Sequence, residues 1–354
     1  MAKAEARHGK SIWLLVAIVI FFVVDGVAAT AIAGGVIQPD NKRRRLVKPL
    51  EKPAATVKTV KSEYGDIIDC VDIYKQPAFD HPALKKHTIQ MKPSDHTEEE
   101  MARASARNAS RAQLWRVNGG SCPQGTIPIL RPSKDKSLNE VPCSTAAPVP
   151  ESVALTKRGT FYGASADLNV WDNLHVDAQD ESACTVYVGR QSKFGTNFIS
   201  AGWQASNPLY GDRKSRFTIY WTDRRSKNWW LKLGNTPVGY WPISIFKDLW
   251  TANTVTWGAR VSLSYACDGG ADHHHSTTEM GNGHFPTEGF RKSAYVAGAL
   301  YTGSDNEDHG PYDSYLVADN QYCYSYKDYG MGCFDRFGDT FFYGGNGNAE
   351  GCFR

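Results

Sequence analysis

The stretch that decides the fold covers residues 228–260 and reads NWWLKLGNTPVGYWPISIFKDLWTANTVTWGAR. Its first part places an apolar residue at every second position: Trp229, Leu231 and Leu233. The same alternation returns further along the stretch and just beyond it, at Val255, Trp257, Ala259, Val261 and Leu263. Apolar residues at every second position are typical of a β-strand with one buried face. The stretch therefore predicts two strands, and Arg260 points away from the apolar face of the second.

The composition of the whole chain favours one structural class. Aromatic residues make up 12% of the 354 residues, and aromatic or β-branched runs alternate with Gly, Asn and Asp, which is typical of short strands joined by turns. Further strands are predicted at residues 164–170, 185–188, 197–199 and 216–221, and residues 201–212 read as a turn-rich stretch. The pattern predicts an all-β protein with an antiparallel β-sandwich in its C-terminal part. Because the net charge of +3 is nearly neutral, we expect no nucleic-acid partner.

The N-terminus has the pattern of a secretory signal. Basic residues up to Lys10 precede an unbroken apolar run at residues 12–24, which is shorter than the roughly 18 residues of a membrane span. Ala31-Ile32-Ala33 follows as a cleavage site. The pattern predicts a signal peptide at residues 1–33, secretion, and no stable membrane insertion after signal cleavage. An uncleaved signal anchor is the alternative interpretation.

The cysteines and histidines bear on possible metal sites and disulfides. Eight cysteines, an even count, predict disulfides rather than a reactive thiol in an oxidising compartment, and no spacing resembles a zinc site. Asp272 to His275, with Glu279 nearby, suggest a metal site at first sight. A polar loop is the favoured interpretation, because consecutive side chains of a strand point to opposite faces. We therefore expect no metal and no cofactor.

Two polar segments divide the chain. Residues 34–63 carry Lys42 to Arg45 and scattered Pro, Lys and Thr, which predicts a flexible linker, with a basic processing site as an alternative. Residues 132–158 are rich in Pro, Ser and Lys, and Pro148-Val149-Pro150 suits neither a helix nor a central strand. This segment is predicted to link an N-terminal unit (64–131) to the β-sandwich domain (159–354). Within the first unit, residues 94–112 could form a short helix, and Asn108 begins a glycosylation triplet.

Two blocks of the N-terminal unit carry a family resemblance. They read YGDIIDCVDIYKQPAFDHPALKKHTIQMKPS at residues 64–94 and QLWRVNGGSCPQGTIPILR at residues 113–131. The pair closely resembles the activation-peptide region of the plant neprosin family, and residues 159–354 resemble the neprosin domain. The resemblance implies a proprotein with a pro-segment at 64–131, and a Cys70–Cys122 and a Cys323–Cys352 disulfide. Cys143, Cys184, Cys267 and Cys333 receive no predicted partner.

The resemblance also implies a function. The founding members of the family are glutamic endopeptidases that cleave after proline, so it implies a secreted hydrolase of the apoplast or cell wall. The expected partners are a peptide or protein substrate and the chain's own pro-segment. Such a peptidase needs two carboxylates across a cleft, one ionised to take a proton from water and one protonated to assist the peptide.

The two catalytic positions implied by the resemblance fall on Glu181 and Arg260. Glu181 lies in VDAQDESACTVYVG, where the first glutamate belongs, whereas Trp257-Gly258-Ala259-Arg260-Val261 replaces a Trp-Gly-Gly-Glu-Val block. A guanidinium neither accepts a proton nor usefully donates one, so the second acid is missing. Losing half of an acid–base pair typically removes on the order of 10²–10⁴-fold of rate. Asp180 and Glu279 are substitutes only if the fold brings one of them into the site.

A second departure from the family concerns the domain itself. Relatives carry a cysteine-containing insert between two of the aromatic strands, but here Asp223 is followed almost directly by Asn228. Either a pair of strands has been lost or the sequence comes from an incomplete gene model. Three hypotheses follow: a weakly active glutamic endopeptidase, a non-catalytic module that binds an extracellular peptide or a cell-wall polymer, and a truncated product that does not fold stably.

Overall fold

A computed structural model of the chain describes residues 55–62, 65–94, 122–131, 149–171, 174–177, 180–193, 195–206, 214, 216–217, 221–223, 228–233, 236–263, 277–328, 339–348 and 352. The strands are β1 (Thr56–Lys61), β2 (Ile67–Asp72), β3 (Thr126–Leu130), β4 (Val149–Phe161), β5 (Gly163–Leu168), β6 (Glu181–Ser192), β7 (Gly195–Ser206), β8 (Arg216–Phe217), β9 (Trp221–Asp223), β10 (Asn228–Leu233), β11 (Thr236–Trp241), β12 (Ala252–Leu263), β13 (Ala294–Thr302), β14 (Asp308–His309), β15 (Tyr315–Ala318), β16 (Ser325–Asp328) and β17 (Phe341–Gly344). Short 3₁₀ helices occupy Ile73–Lys75, Pro77–Asp80, Pro82–Leu84, Ile243–Ile245 and Pro286–Glu288. Among these residues no helix is both long and apolar enough to cross a membrane.

Two large antiparallel sheets build the main domain. One has six strands in the order β15-β4-β12-β6-β7-β8, and the other joins β14, β13, β17 and β16, with β5 paired to β13. Their facing side chains form one hydrophobic core, which includes Val186 and Trp257 from the first sheet and Val296 and Tyr343 from the second. The prediction of an all-β protein with an antiparallel sandwich is therefore confirmed.

The central strand β12 follows its sequence pattern. Val255, Trp257, Ala259 and Val261 are buried, whereas the Arg260 side chain is 41% exposed on the opposite face. The indole Nε1 of Trp257 donates to the Ser165 carbonyl oxygen at 2.9 Å, which ties β12 to β5 across the core. β12 pairs with β4 on one side and with β6 on the other, so the position of Arg260 is fixed by two neighbours.

Strands β1 and β4 extend into segments that the sequence predicted as linkers. β1 (Thr56–Lys61) lies within residues 34–63, and β4 (Val149–Phe161) covers the last part of residues 132–158. Pro150 is compatible with β4 because, among the described residues, Ser262 is its one strand partner, at a point that β15 does not reach. A proline is tolerated at such a free edge, where no neighbouring strand requires its N–H. Similarly, β7 continues to Ser206 through part of the stretch predicted as turn-rich.

The N-terminal unit has a three-stranded antiparallel sheet of its own, in the order β1-β2-β3, and its first strand lies before residue 64, where the unit was predicted to begin. A Cys70–Cys122 disulfide with a Cα–Cα distance of 5.4 Å lies in its small core, as the resemblance implied. The Asp69 carboxylate is fully buried, and it accepts hydrogen bonds from Arg131 Nε at 2.7 Å and from Thr59 Oγ1 at 2.8 Å. This charged network joins β1 and β2 to Arg131, the residue that follows β3. The predicted helix at residues 94–112 lies outside the described residues except for Ser94, and Asn108 lies outside them as well.

The remaining cysteines divide into paired and free. Cys323 and Cys352 form the second predicted disulfide, with a Cα–Cα distance of 4.7 Å. Cys184 is a free thiol, fully buried in β6, so the expectation that the even cysteine count implies only disulfides is wrong for this residue. Burial raises the pKa of the Cys184 thiol to about 12, which makes it an unreactive core residue. Cys143, Cys267 and Cys333 lie outside the described residues, as does the predicted signal peptide.

Candidate functional site

Strand register brings Glu181 and Arg260 to the same face of the six-stranded sheet. Glu181 begins β6 and pairs with Ser262 of β12, whereas Arg260 pairs with Ala183 of β6. Residues that pair across strands share a face, so Glu181 and Arg260 are diagonal neighbours on the face opposite the core. This arrangement explains how two residues far apart in sequence meet.

The Glu181 carboxylate receives three hydrogen bonds from its neighbours. Arg260 Nη2 and Ser262 Oγ both donate to Oε1 at 3.2 Å, and Gln204 Nε2 donates to Oε2 at 2.6 Å. The Glu181 side chain is 22% exposed and that of Arg260 is 41% exposed, so the ion pair is accessible from solvent. We define Glu181, Gln204, Arg260 and Ser262 as the Glu181 cluster.

The chemistry of the Glu181 cluster differs from that of two facing carboxylates. Glu181 can accept a proton, but Arg260 stays protonated and cannot transfer one. Arg260 Nε is buried and has no hydrogen-bond partner in the described part of the chain, so the guanidinium is only partly satisfied by Glu181. The cluster can therefore hold a polar ligand through one acceptor and several donors, but it offers no carboxylic acid beside Glu181.

Two glycines lie beside the Glu181 cluster on the same face of the sheet. Gly258 of β12 and Gly202 of β7 both pair with Thr185 of β6, one row along the sheet from Arg260. A Cβ atom at Gly258 would collide with the Val153 carbonyl oxygen, and one at Gly202 would collide with the Cys184 carbonyl oxygen. Glycine is therefore required at both positions by the close approach of the neighbouring strands. No side chain therefore projects from the sheet at these two positions beside the charged pair.

The acids proposed as substitutes stabilise a neighbouring loop contact. Asp180 is 4% exposed and accepts a hydrogen bond from Thr278 Oγ1 at 2.8 Å. Glu279 Oε2 accepts from the His175 backbone N at 2.7 Å, and its own N donates to the His175 carbonyl oxygen. The Glu279 carboxylate thus fixes residues 277–279 against residues 174–177, and the Asp180 carboxylate fixes them against the residue just before β6.

An exposed cluster beside this loop contact has residue types used in nucleophilic catalysis. His175 Nε2 lies 2.8 Å from Thr277 Oγ1 and 3.1 Å from Asp177 Oδ1. A catalytic triad uses one ring nitrogen for the nucleophile and the other for the acid, but here one nitrogen faces both. Burial acts to raise the pKa of Asp177, but hydrogen bonds from Thr277 and His175 outweigh it and lower that pKa. The arrangement suits a loop-fixing role for an ionised Asp177.

The suggested metal site cannot be assembled from described residues. Residues 272–275 lie outside them, and Glu279 is bonded to His175. Among the described residues, no group of three or more His, Cys, Asp or Glu side chains is arranged to hold a metal ion.

Sequence reasoning did not assign roles to Gln204 and Ser262. Ser262 lies two residues after Arg260 in β12, so the alternation that orients Arg260 is also sufficient to place Ser262 on the same face. Gln204 lies within residues 201–206, which the sequence presented as turn-rich but which form the end of β7. Its contact with Glu181 follows from the pairing of β7 with β6, which has no local signal.

Comparison with known protein families agrees with this architecture. The family model described as Neprosin activation peptide matches residues 59–145. The family model described as Neprosin matches residues 178–226 and 221–346, so the two matched pieces meet where the insert was expected to be missing. There β9 and β10 pair directly as an antiparallel hairpin, with Asn228 opposite Asp223. With both parts matched in this order, the chain belongs to the neprosin family.

Proposed function

We propose that this protein is a secreted neprosin-family proprotein whose mature domain binds proline-containing peptides at the Glu181 cluster but hydrolyses them poorly. The observation that carries this proposal is the contact between Arg260 Nη2 and Glu181 Oε1 at 3.2 Å. It puts a permanent cation at the position that the family resemblance assigns to the second catalytic glutamate. Peptide recognition needs donors and an acceptor, which the cluster retains.

The loss of rate follows from the proton balance of hydrolysis. As water attacks the peptide carbonyl carbon, Glu181 takes a proton from it; as the C–N bond breaks, the leaving amine must gain a proton. Arg260 cannot supply that proton, so Glu181 would have to return the one that it took. Acid–base assistance is typically worth on the order of 10²–10⁴-fold, which sets the size of the expected deficit.

A non-catalytic binding module for extracellular peptide or cell-wall polymer is the second candidate function. Tyr187 and Phe198 lie on the same sheet face as Glu181, and their rings stack with centroids 5.2 Å apart. Phe198 is 42% exposed. Exposed aromatic rings bind proline rings and sugars equally well, so this pair favours binding without specifying the ligand.

Peptidase activity of three proteins tests the proposal. A protease recognition sequence is inserted between residues 131 and 149, and the wild type, Arg260→Glu and Glu181→Gln are assayed at acid pH after cleavage there. We expect low activity in the wild type, a gain on the order of 10²-fold or more in Arg260→Glu, and none in Glu181→Gln. Arg158→Glu, which changes an exposed arginine of β4 by the same charge, is the control.

Each alternative has its own signature in this assay. A fully active wild type that loses activity in Glu181→Gln would show that Arg260 does not impair catalysis. Inactive proteins that still bind a proline-containing peptide or a wall oligosaccharide, unaffected by Glu181→Gln, would identify the binding module instead.

A further inference from the structure

The hairpin of β10 and β11 carries a surface that the pro-segment covers. We define the Tyr240 surface as Asn228, Trp230 and Tyr240, which lie at the paired ends of these strands. Pro-segment residues His87 and Gln90 contact it: the Tyr240 hydroxyl lies 2.7 Å from His87 Nε2 and accepts a hydrogen bond from the Gln90 backbone N at 2.8 Å. In the described part of the chain, the pro-segment therefore contacts the β-sandwich through directed polar contacts at His87 and Gln90.

Gln90 is recognised through both its backbone and its side chain. In addition to the bond from its N–H to Tyr240, its Oε1 accepts from Asn228 Nδ2 at 3.0 Å. The Asn228 amide is 6% exposed, and its Oδ1 accepts from the Ile243 backbone N at 3.2 Å. Because that bond fixes the orientation of the amide, the Nδ2 donor is presented to the pro-segment. This donor therefore selects a side chain whose acceptor oxygen lies as far from the backbone as that of glutamine.

Trp230 packs against Tyr240 and carries a buried indole N–H. Its ring lies 4.8 Å from that of Tyr240, and the residue is only 2% exposed. The indole Nε1 is buried and has no hydrogen-bond partner among the residues described here. A buried donor without a partner is unfavourable, and a ligand carbonyl can remove that cost.

We propose that the Tyr240 surface is a glutamine-selective peptide-binding site, occupied by Gln90 in the proprotein and open to other extended glutamine-containing peptides once the pro-segment leaves. The features that it recognises, a backbone N–H and a side-chain amide oxygen, belong to any glutamine in an extended peptide. The proposal rests on the proposed function only in taking a peptide as the ligand. It does not require that Glu181 be catalytic.

The Tyr240 surface and the Glu181 cluster are anchored to different ends of β12. Trp229, next to Trp230, donates from Nε1 to the Leu249 carbonyl oxygen at 2.6 Å, just before β12 begins at Ala252. Arg260 lies near the other end of β12, about 26 Å along the strand at roughly 3.3 Å per residue. The two sites can therefore be changed independently.

Displacement of the pro-segment by a peptide tests the proposal. The full chain, carrying a protease sequence between residues 131 and 149, is cut there, and the retained pro-segment is measured by size-exclusion chromatography. A free peptide with the sequence of residues 85–94, KKHTIQMKPS, is then added as the competitor. We expect it to displace the pro-segment. We expect the Gln90→Asn peptide, whose amide is one methylene too short, to need roughly two- to tenfold more, which corresponds to the loss of one net hydrogen bond. The Gln90→Glu peptide keeps the acceptor oxygen and should lose less.

A protein variant isolates the recognition group. Asn228→Asp keeps the oxygen that accepts from Ile243 but removes the donor to Gln90, so the pro-segment should leave more readily. Asn228→Ala removes the same donor without burying a charge, and it should also release the pro-segment more readily. Glu181→Gln should behave as the wild type in this assay, which separates the result from any failure of the proposed function. The proposal is wrong if the Gln90→Asn peptide competes as well as the wild-type peptide, or if neither peptide displaces the pro-segment.

Discussion

Arg260 Nη2 lies 3.2 Å from Glu181 Oε1, diagonally across the pairing of β12 with β6. The contact joins the two positions that the family resemblance marks as catalytic, and it joins them as a cation and an anion rather than as two acids. Gln204 and Ser262 complete the coordination of the carboxylate from the same face. The face is polar, and the charged group at position 260 is a cation where the resemblance implies a carboxylate.

The Arg260–Glu181 ion pair is expected to contribute little to stability. Both side chains are partly exposed, and pairs of this kind are typically worth about 0–1 kcal/mol. We predict that Arg260→Gln changes the free energy of unfolding by less than about 1 kcal/mol in urea denaturation, as the control Arg158→Gln does. A loss of about 3–5 kcal/mol, the size seen when a buried pair is broken, would instead assign Arg260 a structural role.

The fit of β12 beside the Glu181 cluster depends on Gly258. A Cβ atom there would collide with the backbone oxygen of Val153, which cannot move without shifting β4. We predict that Gly258→Ala lowers the free energy of unfolding by roughly 1–3 kcal/mol, the usual cost of forcing an extra carbon into a packed site. Gly239→Ala is the matched control, because a Cβ atom at Gly239 meets nothing within 4 Å. Equal effects of the two substitutions would contradict the packing argument.

Retention of the pro-segment is expected to depend on pH through His87. Burial lowers the pKa of His87 below its usual 6.5, so docking favours the neutral ring. The contribution of His87 to docking is therefore complete above pH 6.5, and it is lost as the pH falls from 6.5 towards the lowered pKa. The neutral ring can accept the Tyr240 hydroxyl proton, whereas the protonated ring cannot.

Chromatography of the cut proprotein between pH 8 and pH 5 measures this dependence. We expect the wild type to release more pro-segment below pH 6.5, and His87→Gln to flatten the profile. His284→Gln, which changes a histidine paired with Glu288 on the sandwich, should leave the profile unchanged. A profile that is the same in all three proteins would assign the pH response to other groups.

The local sequence pattern was sufficient to predict which face of a strand a residue occupies. The residues that meet in the Glu181 cluster depend instead on the pairing of strands that are distant in sequence. The alternation around Arg260 was sufficient to predict its orientation, because the side-chain period of a strand is a local property. That Arg260 meets Glu181 depends on the register of β12 against β6, for which neither strand carries a local signal. Gln204 was missed for the same reason, since its stretch of Ala, Gly and Ser has low strand propensity and is held extended by β6.

Two other differences have specific physical causes. β4 was read as part of a linker because prolines usually exclude a central strand, but Pro150 lies beyond the end of β15, where that restriction does not apply. Cys184 was counted in the even number that predicted disulfides but received no predicted partner, because parity alone cannot distinguish a paired cysteine from a buried one. Its thiol is enclosed in the core, where cysteine behaves as a small apolar residue.

The junction between the two large sheets is expected to depend on Trp257. The residue is fully buried, and its indole N–H is bonded to the Ser165 carbonyl oxygen, so removing the side chain creates a cavity and leaves that carbonyl without this donor. We predict that Trp257→Ala lowers the free energy of unfolding by about 3–5 kcal/mol. The measurement is urea denaturation followed by circular dichroism. Trp250→Ala, which removes a tryptophan that is 55% exposed just before the same strand, should change it by no more than about 0.5 kcal/mol. A similar loss from both substitutions would mean that the core between the sheets does not depend on this contact.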